Sequence, residues 1–303
     1  MNIKHPFKMN ILITGTTGFV GTHLLEKLEN YNKFKLAAVV RDKSIINIKN
    51  NVQLIHIKDN LNFEKEIINF NPEIVIHLAS HLTGLDDSNS FKKLIKSNIE
   101  FPGKLLECLR KTSLKYFINT GTFAEYSNNN DILDPAYLYS ATKISFRPIL
   151  KYFSKIIGFK TISIIPYTIY GGKSKNKKVI DYLLESLNTK EMIDMTPGEQ
   201  KLDFIHIDDI TSFYIYLINN LDKINELYIE FKLGTGVGTS IKELATKIEN
   251  ITGKKTNINW GGKPYRKTDI MKAIANTKNL DLINWSSKIT IEEGLKKIIE
   301  EQK

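Results

Sequence analysis

Short, uninterrupted runs of apolar residues alternate along the first half of the chain with stretches in which apolar positions recur every three or four residues. Such runs are typical of strands covered on both faces, and the periodic stretches are typical of helices with one buried face. Strands and helices that alternate in this way form a parallel sheet through right-handed crossovers, which predicts the α/β class. The predicted strands are 9–14, 35–40, 52–57, 73–78, 115–120 and 160–167, and the predicted helices are 19–30, 62–70, 91–112 and 139–157.

The alternation loosens after residue 167, where shorter patterns follow one another. We therefore predict one domain over 9–167 and a smaller C-terminal lobe over 168–303, interwoven with the first because part of 202–220 returns to it. Pro148 lies inside the helix predicted at 139–157 and removes a backbone donor, so that helix is expected to bend or to divide in two. The patterns of the lobe predict helices near 177–187, 208–219, 240–252 and 290–301 and an apolar segment at 202–206.

Composition places the chain among ordinary globular proteins, with 303 residues, 42% apolar and 25% charged. No apolar run approaches the roughly 18 residues of a membrane span, and we expect no membrane partner. Cys108 is the single cysteine, so no intrachain disulfide can form, which fits a reducing, cytoplasmic location. The net charge of +10 raises the alternative of nucleic-acid binding, but the lysines are scattered, which favours no nucleic-acid partner. We interpret residues 1–8 as a loose extension.

Three glycines, Gly15, Gly18 and Gly21, separate the apolar run Ile11–Ile13 from the periodic stretch Val20–Leu28. A strand, a glycine turn and a helix in this order let the backbone approach a pyrophosphate, to which the helix start offers N–H groups. The pattern predicts a dinucleotide site in a doubly wound sheet of Rossmann type. A glycine-rich turn without a ligand is the alternative.

Candidate chemistry lies further along, in Thr122, Tyr139 and Lys143. Tyr139 and Lys143 stand four residues apart, so they share one face of a helix, and an ammonium group nearby lowers the pKa of a tyrosine toward the range of acid–base catalysis. Thr122 follows the strand predicted at 115–120, where its hydroxyl could contact a substrate carbonyl. Alone, the Tyr–Lys pair could equally be a surface pair.

The glycine turn followed by Thr122, Tyr139 and Lys143 resembles the extended short-chain dehydrogenase/reductase family, which works on nucleotide sugars. The resemblance implies that these three residues are its catalytic Ser/Thr–Tyr–Lys triad. It covers nearly the whole chain, through further segments that are similar to family motifs: Asp59, His77–Ser80, Asn98, Pro166–Gly171, Asp203–Asp209, Arg266 with Asp269, and Trp285 before the closing helix.

The resemblance also implies a set of ligand contacts, no metal site, and a homodimer formed through the helices at 91–112 and 139–157. Leu94, Ile95, Leu105, Leu106 and Leu109 could form the dimer face or pack on the sheet. The expected cofactor contacts are Gly15, Thr17, Gly18, Phe19, Val20, Gly21, Arg41, Asp59, Asn60, Leu78, Ala79, Ser80, Asn98, Thr120, Tyr139, Lys143, Pro166 and Tyr167. The expected substrate contacts are His81, Thr83, Thr122, Phe123, Tyr139, Thr168 and Arg266, the last for the nucleotide diphosphate.

Departures from the family pattern reduce the number of reactions that the chain is expected to catalyse. Phe123 and Ala124 stand where 4,6-dehydratases have Asp and Glu, and neither can move a proton. Thr168 and Leu202 stand where many epimerases have Asn and Arg. The runs 119–123 and 200–206 resemble the branch of CDP-abequose and CDP-paratose synthases, which reduces 4-keto groups of CDP-linked deoxysugars.

The end of the second predicted strand bears on the cofactor. Arg41 can pair with the 2′-phosphate of NADP, whereas Asp42 would favour NAD through the ribose. Arg41 comes first, so NADPH is favoured and NAD stays possible. The expected function is NADPH-dependent reduction of the C4 keto group of a nucleotide-linked, CDP-type deoxysugar for surface polysaccharides. The alternatives are an NAD-dependent nucleotide-sugar epimerase and a non-catalytic dinucleotide sensor, which would not need the triad.

Overall fold

The computed structural model describes residues 9–31, 33–41, 51–57, 60–174 and 177–301. The expectations for residues 1–8, Asp42 and Asp59 lie outside the described residues, as does the side chain of Asn60. The chain divides into two compact units. The first unit comprises Met1–Gly121, Leu138–Ile164 and Tyr214–Phe231, and the second comprises Thr122–Tyr137, Ile165–Phe213 and Lys232–Lys303.

The strands follow the predicted apolar runs closely up to residue 167. After it the structure adds several short strands and the six-residue strand Tyr228–Leu233 of the main sheet, which was not predicted. In chain order they are β1 (Met9–Thr14), β2 (Phe34–Val40), β3 (Val52–His56), β4 (Ile74–His77), β5 (Tyr116–Thr120), β6 (Lys160–Pro166), β7 (Thr168–Tyr170), β8 (Ile193–Met195), β9 (Lys201–His206), β10 (Tyr228–Leu233), β11 (Gly238–Ser240), β12 (Ile258–Trp260) and β13 (Lys272–Ala273).

The helices also lie where the three-to-four periodicity predicts them. They are α1 (Phe19–Leu28), α2 (Asn60–Phe70), α3 (Ser88–Ile95), α4 (Phe101–Leu109), α5 (Leu138–Ile157), α6 (Val179–Ser186), α7 (Ile207–Ile218), α8 (Ile241–Thr252) and α9 (Ile291–Glu301). In the described ranges no helix combines the length and the apolar character that crossing a bilayer requires.

A seven-stranded sheet has the order β10-β6-β5-β4-β1-β2-β3. The pairs from β6 through β3 are all parallel. The central strands are buried on both faces, as the continuous runs at Ile11–Ile13 and Ile74–Ile76 predict. Leu12, Val75 and Phe117 of these strands pack with residues of α4 and α5 in one apolar cluster. The prediction of an α/β, doubly wound parallel sheet of Rossmann type is confirmed.

Two helices differ from the sequence-based expectation. The helix predicted at 91–112 is three segments, α3, a π-helical turn over Lys96–Glu100, and α4. Pro102 has no N–H to donate to the carbonyl four residues back, and the π-helical turn ends just before it, so the proline lies in the first turn of α4. α5, in contrast, continues past Pro148, and the expectation of two pieces is wrong. Phe146 and Leu150, on either side of the proline, are both buried in the core, which stabilises the helix across it.

The second unit contains the shorter strands. β9 pairs in parallel with β7 and β13 and antiparallel with β11, while β8 and β12 form a separate parallel pair. The carboxylate of Asp203, fully buried in β9, accepts hydrogen bonds from the N–H groups of Thr235, Gly236 and Ala275. Burial raises the pKa of Asp203, and these hydrogen bonds oppose that shift. One carboxylate thus organises the loop before β11 and the chain after β13.

Candidate active site

The glycine turn packs the first strand, the fourth strand and the first helix unusually close together. Gly15 has φ of +75°, and a Cβ there would lie 2.5 Å from the amide nitrogen of Ala79. A Cβ on Gly21 would lie 2.1 Å from the carbonyl oxygen of Gly15. The N–H of Gly18 donates to that same oxygen at 2.9 Å. Side chains at these positions would force the turn apart, so the glycines are required by the close approach.

The start of α1 lies directly after this turn and has no side-chain cap. Gly18 occupies the N-cap position, and no side-chain hydrogen bond is made there. The hydroxyl of Thr16 is buried and has no hydrogen-bond partner among the described residues. The pyrophosphate of a dinucleotide would fit these features. They are a helix start without a side-chain cap, a buried hydroxyl without a partner among the described residues, and a turn without side chains.

Most of the expected cofactor contacts lie at the carboxyl ends of neighbouring strands of the first unit. Leu78, Ala79 and Ser80 follow β4, Arg41 follows β2 with its side chain exposed, and Thr120 ends β5. Thr17, Phe19 and Val20 belong to the turn and the first residues of α1. Pro166 and Tyr167 belong to the second unit. These contacts with a ligand stay predictions.

His77, at the end of β4, forms a buried hydrogen-bonded pair with Thr14 at the end of β1. The Thr14 hydroxyl accepts the N–H of Ala79 at 3.1 Å and lies 2.8 Å from Nδ1 of His77. The Thr14 hydroxyl can therefore donate its own proton to Nδ1 of His77. Because Nδ1 is then an acceptor, the neutral imidazole ring carries its proton on Nε2. Burial, followed by the positive charge of Lys143, lowers the pKa of His77 to about 3. The ring is neutral at physiological pH and fixes the turn after β4.

Asn98, turned inward by the π-helical turn, joins that loop to the helix of the predicted proton donor. Its Oδ1 accepts the N–H of His81 at 2.8 Å, and its Nδ2 donates to the carbonyl of His81 at 3.2 Å. Nδ2 also donates to the hydroxyl of Thr142 at 2.9 Å, which in turn donates to the carbonyl of Tyr139 at 2.7 Å. The buried amide of Asn98 thus fixes the position of the loop after β4 relative to the first turn of α5.

Tyr139 and Lys143 lie on one face of α5 in the first unit, as their spacing predicts. Lys143 is buried, and its charge acts on the ring of His77. An ammonium group is costly to bury unless polar partners receive it, and buried lysines of this kind are common at functional sites. The two residues are therefore arranged for acid–base chemistry on one helix.

Thr122 belongs to the second unit and begins a short 3₁₀ turn over Phe123–Glu125. Its N–H donates to the carboxylate of Glu125 at 2.8 Å, and its hydroxyl oxygen accepts the N–H of Ala124 at 3.4 Å. Since that oxygen acts as an acceptor within the turn, its own proton can be donated to a ligand. The turn therefore fixes a half-buried hydroxyl as a hydrogen-bond donor.

The expected substrate contacts divide between the units. The first unit contains His81, Thr83 and Tyr139, and the second contains Thr122, Phe123, Thr168 and Arg266. Phe123 stacks on Tyr167 with ring centroids 5.7 Å apart. The hydroxyl of Thr168 is buried without a partner among the described residues. Arg266 is exposed, and its backbone N–H donates to Asp269 at 2.8 Å. No described group of three or more His, Cys, Asp or Glu side chains could hold a metal ion.

The sequence patterns missed the residues that position others. Thr14 and Thr142 have no motif of their own, and the signals are a polar residue at the end of a buried strand and one inside the Tyr–Lys spacing. His77 begins a segment that resembles a family motif, but its pairing with Thr14 was not predicted. Tyr214 of α7 was missed in the same way. Its hydroxyl lies 2.6 Å from that of Thr120, and burial raises its pKa.

Known proteins resemble this chain over most of its length. The model of the NAD dependent epimerase/dehydratase family matches residues 11–229. CDP-abequose synthase of Salmonella muenchen is 30% identical over 293 residues, which cover 95% of this chain and 96% of that protein. The UDP-glucose 4-epimerase of Thermotoga maritima, solved with UDP-glucose, is 26% identical with a TM-score of 0.82, over 96% of this chain and 98% of that one. The UDP-glucose 4-epimerase of Thermus thermophilus, solved with NAD, has the same TM-score and coverage at 18% identity, which shows the fold alone.

Proposed function

Because the chain belongs to the NAD dependent epimerase/dehydratase family, we propose that it reduces the C4 keto group of a nucleotide-linked deoxysugar. Membership of the family makes it an enzyme that acts on nucleotide sugars with a nicotinamide dinucleotide. The similarity to CDP-abequose synthases along almost the whole chain supports a CDP-linked sugar and a role in polysaccharide synthesis. The observation that carries the proposal is the placement of Tyr139 and buried Lys143 on α5, fixed to the loop after β4 through Asn98.

The dinucleotide is held, in this proposal, by the turn over Gly15–Gly21 and by the start of α1. Arg41 pairs with the 2′-phosphate of NADP, which makes NADPH the favoured reductant, with NAD as the alternative. When bound, the reduced nicotinamide supplies the hydride that C4 of the sugar accepts.

The residues of the chain orient the carbonyl and deliver the proton. Thr122 donates a hydrogen bond to the carbonyl oxygen, and Tyr139 donates its phenolic proton to that oxygen as charge develops on it. Lys143 stabilises the phenolate that remains, because its ammonium group lies on the same helix face. Arg266 binds the diphosphate of the substrate. Orientation and electrostatics are thus the contribution of the protein.

The second candidate is an NAD-dependent epimerase, which the similarity to the Thermotoga maritima enzyme favours. An epimerase recycles its dinucleotide within each turnover, whereas a reductase exchanges it. Thr168 and Leu202 depart from the epimerase pattern, and Phe123 and Ala124 from the dehydratase pattern, which leaves the reductase as the better supported reaction. A dinucleotide sensor has no need for the Thr122, Tyr139 and Lys143 set.

The decisive experiment follows the absorbance of the reduced nicotinamide while the protein acts on a panel of 4-keto nucleotide sugars. The reductase consumes NADPH one-for-one with substrate and yields a C4 alcohol, identified by NMR. Freshly purified reductase also carries little bound dinucleotide. Interconversion of two C4 epimers without loss of that absorbance would instead establish the epimerase.

We propose a homodimer as the functional assembly, formed through α3, α4 and α5. Leu94, Leu105, Leu106 and Leu109 are fully buried and pack within the first unit, so they do not form the face. The exposed apolar side chains on these helices are Phe91, Tyr152 and Ile156. These three, together with the half-buried Ile95 of α3, are the candidates for the dimer contact.

A further inference from the structure

Helix α5 carries three basic residues in series behind the predicted proton donor. Lys143, Arg147 and Lys151 follow Tyr139 at successive intervals of four residues, so each side chain lies beside the next on the helix surface. Lys143 and Arg147 are buried, whereas Lys151 is exposed. We call these three basic residues the basic row. Neighbouring side chains in it are about 6 Å apart at Cβ, so their positive charges repel one another.

Glu230 of β10 supplies a negative charge to the basic row. Its carboxylate accepts a hydrogen bond from Nη1 of Arg147, and the two groups form an ion pair within the first unit. Only 7% of the Arg147 side chain and 17% of the Glu230 side chain are exposed. A pair that is withdrawn from water is screened far less than a surface pair, so this carboxylate offsets the charge of the guanidinium group.

Tyr228, two residues before Glu230 in β10, helps to hold this pair in place. Its hydroxyl accepts a hydrogen bond from Nη1 of Arg147 at 3.4 Å and donates one to Oγ of Ser163 in β6 at 3.3 Å. The ammonium group of Lys151 lies 4.0 Å from the centroid of the Tyr228 ring. The guanidinium group of Arg147 is therefore held between α5 and the neighbouring strands β10 and β6.

The other ionisable side chains of the strands beneath α5 do not replace Glu230. His77 is neutral at physiological pH, because burial first and the charge of Lys143 second lower its pKa to about 3. Tyr116 and Lys160 are the first residues of β5 and β6, at the opposite end of these strands from the candidate site. None of the three provides a negative charge near the basic row.

The helices that pack on α5 also leave Glu230 as its acidic partner. Charged side chains of α3, the π-helical turn and α4 are exposed, namely those of Lys92, Lys93, Lys96, Glu100, Lys104 and Glu107. The Cys108 thiol of α4 is neutral, because burial raises its pKa to about 11. Lys232 of β10 belongs to the second unit and pairs with Asp131 there. Among the described residues of these elements, Glu230 is the carboxylate withdrawn from water beside the basic row.

This inference rests on the proposed function, in which the ammonium group of Lys143 stabilises the phenolate left on Tyr139. A guanidinium group without a counter-charge, one helical turn from Lys143, would favour the neutral amine, and a neutral amine cannot stabilise a phenolate. We propose that Glu230 neutralises Arg147 and thereby keeps Lys143 charged in the working pH range. Glu230 is a positioning residue, because it acts on the reaction through Arg147 and Lys143.

The size of the effect follows from the geometry of the helix. Two unit charges about 6 Å apart, at an effective dielectric constant of about 20, shift the midpoint of a titration by about two pH units. The guanidinium group of Arg147 is directed toward Glu230 of β10, which increases its distance from Lys143. We therefore expect a shift of about one to two pH units when the counter-charge is removed.

The test titrates Lys143 itself, in protein saturated with the dinucleotide that it binds more tightly. Nitrogen NMR of lysine-labelled protein follows the change from ammonium to amine, and Lys143→Arg identifies the signal. Glu230→Gln is expected to lower the midpoint by about one to two pH units, because Arg147 loses its counter-charge. Arg147→Met is expected to raise the midpoint, because the carboxylate is then uncompensated. The double variant, with both substitutions, should have a midpoint close to that of the wild type.

Opposite shifts in the two single variants distinguish charge balance from a purely structural role, which would lower the stability of both and shift neither midpoint. Arg147→Lys retains the positive charge and should retain the wild-type midpoint. The alkaline limb of the kcat profile against pH should move in the same direction as the Lys143 midpoint in each variant. KM should stay near the wild-type value, because the pair does not contact the substrate.

Glu107→Gln is the matched control, because it leaves Arg110 without the carboxylate of an exposed ion pair in the first unit. Neither the Lys143 midpoint nor the kcat profile should change, since water screens this charge. An unchanged midpoint in a folded Glu230→Gln variant would overturn the proposal. If Glu230→Gln does not fold, equal midpoints in Arg147→Met and the double variant would overturn it.

The titration needs no sugar substrate, so it is independent of the proposed reaction. A protein that reduces none of the 4-keto sugars but shows the expected shifts would refute the reductase function and support the charge balance. Reduction of a 4-keto sugar without these shifts would support the reductase and overturn the role of Glu230.

Discussion

The Thr14 hydroxyl lies 2.8 Å from Nδ1 of His77, and the two residues end neighbouring parallel strands. The ring of His77 is surrounded by those of Phe101, Phe117 and Phe146. Because Thr14 also accepts the N–H of Ala79, this pair determines the path of the chain at the point where the glycine turn packs against it. A histidine that carries no charge can thus stabilise the edge of the sheet at which we predict that the dinucleotide binds.

The low pKa of His77 predicts a specific loss of stability in mild acid. The folded protein keeps the ring neutral down to about pH 3, whereas an unfolded histidine titrates near 6.5, so the unfolded chain binds more protons between these values. The free energy of unfolding should therefore fall by about 2 kcal/mol from pH 7 to pH 5 on account of this group. His77→Gln should remove that contribution. Urea unfolding at both pH values measures it, and an equal pH dependence in variant and wild type would contradict it.

Removing the Asn98 amide should affect both stability and turnover. Asn98→Ala leaves the peptide groups of His81 and the hydroxyl of Thr142 without their partner, at a cost of about 1–3 kcal/mol in the free energy of unfolding. Thr142→Val removes only the link to α5, so it should lower kcat while dinucleotide affinity stays near that of the wild type. Urea unfolding and steady-state kinetics separate the effects. Wild-type kcat in Thr142→Val would show that the link does not position Tyr139.

Loss of the phenolic proton donor should abolish most turnover without unfolding the protein. Tyr139→Phe is expected to lower kcat by roughly two to four orders of magnitude, the scale of a general acid. Tyr152→Phe is the matched control, because Tyr152 lies on the same helix with an exposed side chain. Circular dichroism checks the fold of both. Near-normal turnover in Tyr139→Phe would refute the assigned proton transfer.

Arg41 should decide between the two dinucleotides. The wild-type protein is expected to bind NADPH more tightly than NADH, and Arg41→Ala should weaken NADPH by about 1–3 kcal/mol while leaving NADH nearly unchanged. Fluorescence titration of each dinucleotide gives the four dissociation constants. Equal affinities of the wild-type protein for the two would remove the basis for NADPH.

The proposed dimer should depend on the exposed apolar side chains of α3 and α5. We expect light scattering at micromolar concentration to give twice the 34.7 kDa of the chain. A Tyr152→Lys and Ile156→Lys double variant should shift the protein to the monomer, because lysine is unfavourable in an apolar interface. A wild-type monomer under these conditions would contradict the prediction.

The sheet was predictable because its central strands are buried on both faces and so appear as continuous apolar runs. The three-residue strands β8 and β12 give no such signal and were missed. The π-helical turn was also missed, because its geometry leaves the apolar periodicity of the flanking helices almost unchanged. At Pro148, packing of Phe146 and Leu150 overrides the local preference for a break.

At the candidate site, the sequence reveals the residues that belong to a recognisable motif. It does not reveal the residues that hold them in position through hydrogen bonds. The spacing of Tyr139 and Lys143 places them on one helix face without any knowledge of the fold. The amide of Asn98 instead joins residues 17 and 44 positions away, and the carboxylate of Asp203 joins residues 32 and 72 positions away. Contacts at such separations depend on tertiary packing, which no local pattern encodes.

The first unit is built from three separate stretches of the chain, and this determines when its sheet can be completed during translation. Its last stretch, Tyr214–Phe231, contributes most of β10, the strand next to β6. The ribosome synthesises the chain from the N-terminus to the C-terminus. One edge of β6 therefore stays unpaired until about three quarters of the protein has been translated. An unpaired strand edge invites pairing with other chains. Translation that stalls between β6 and β10 should therefore leave a nascent chain that requires a chaperone, although the residues predicted to contact the dinucleotide have already been made.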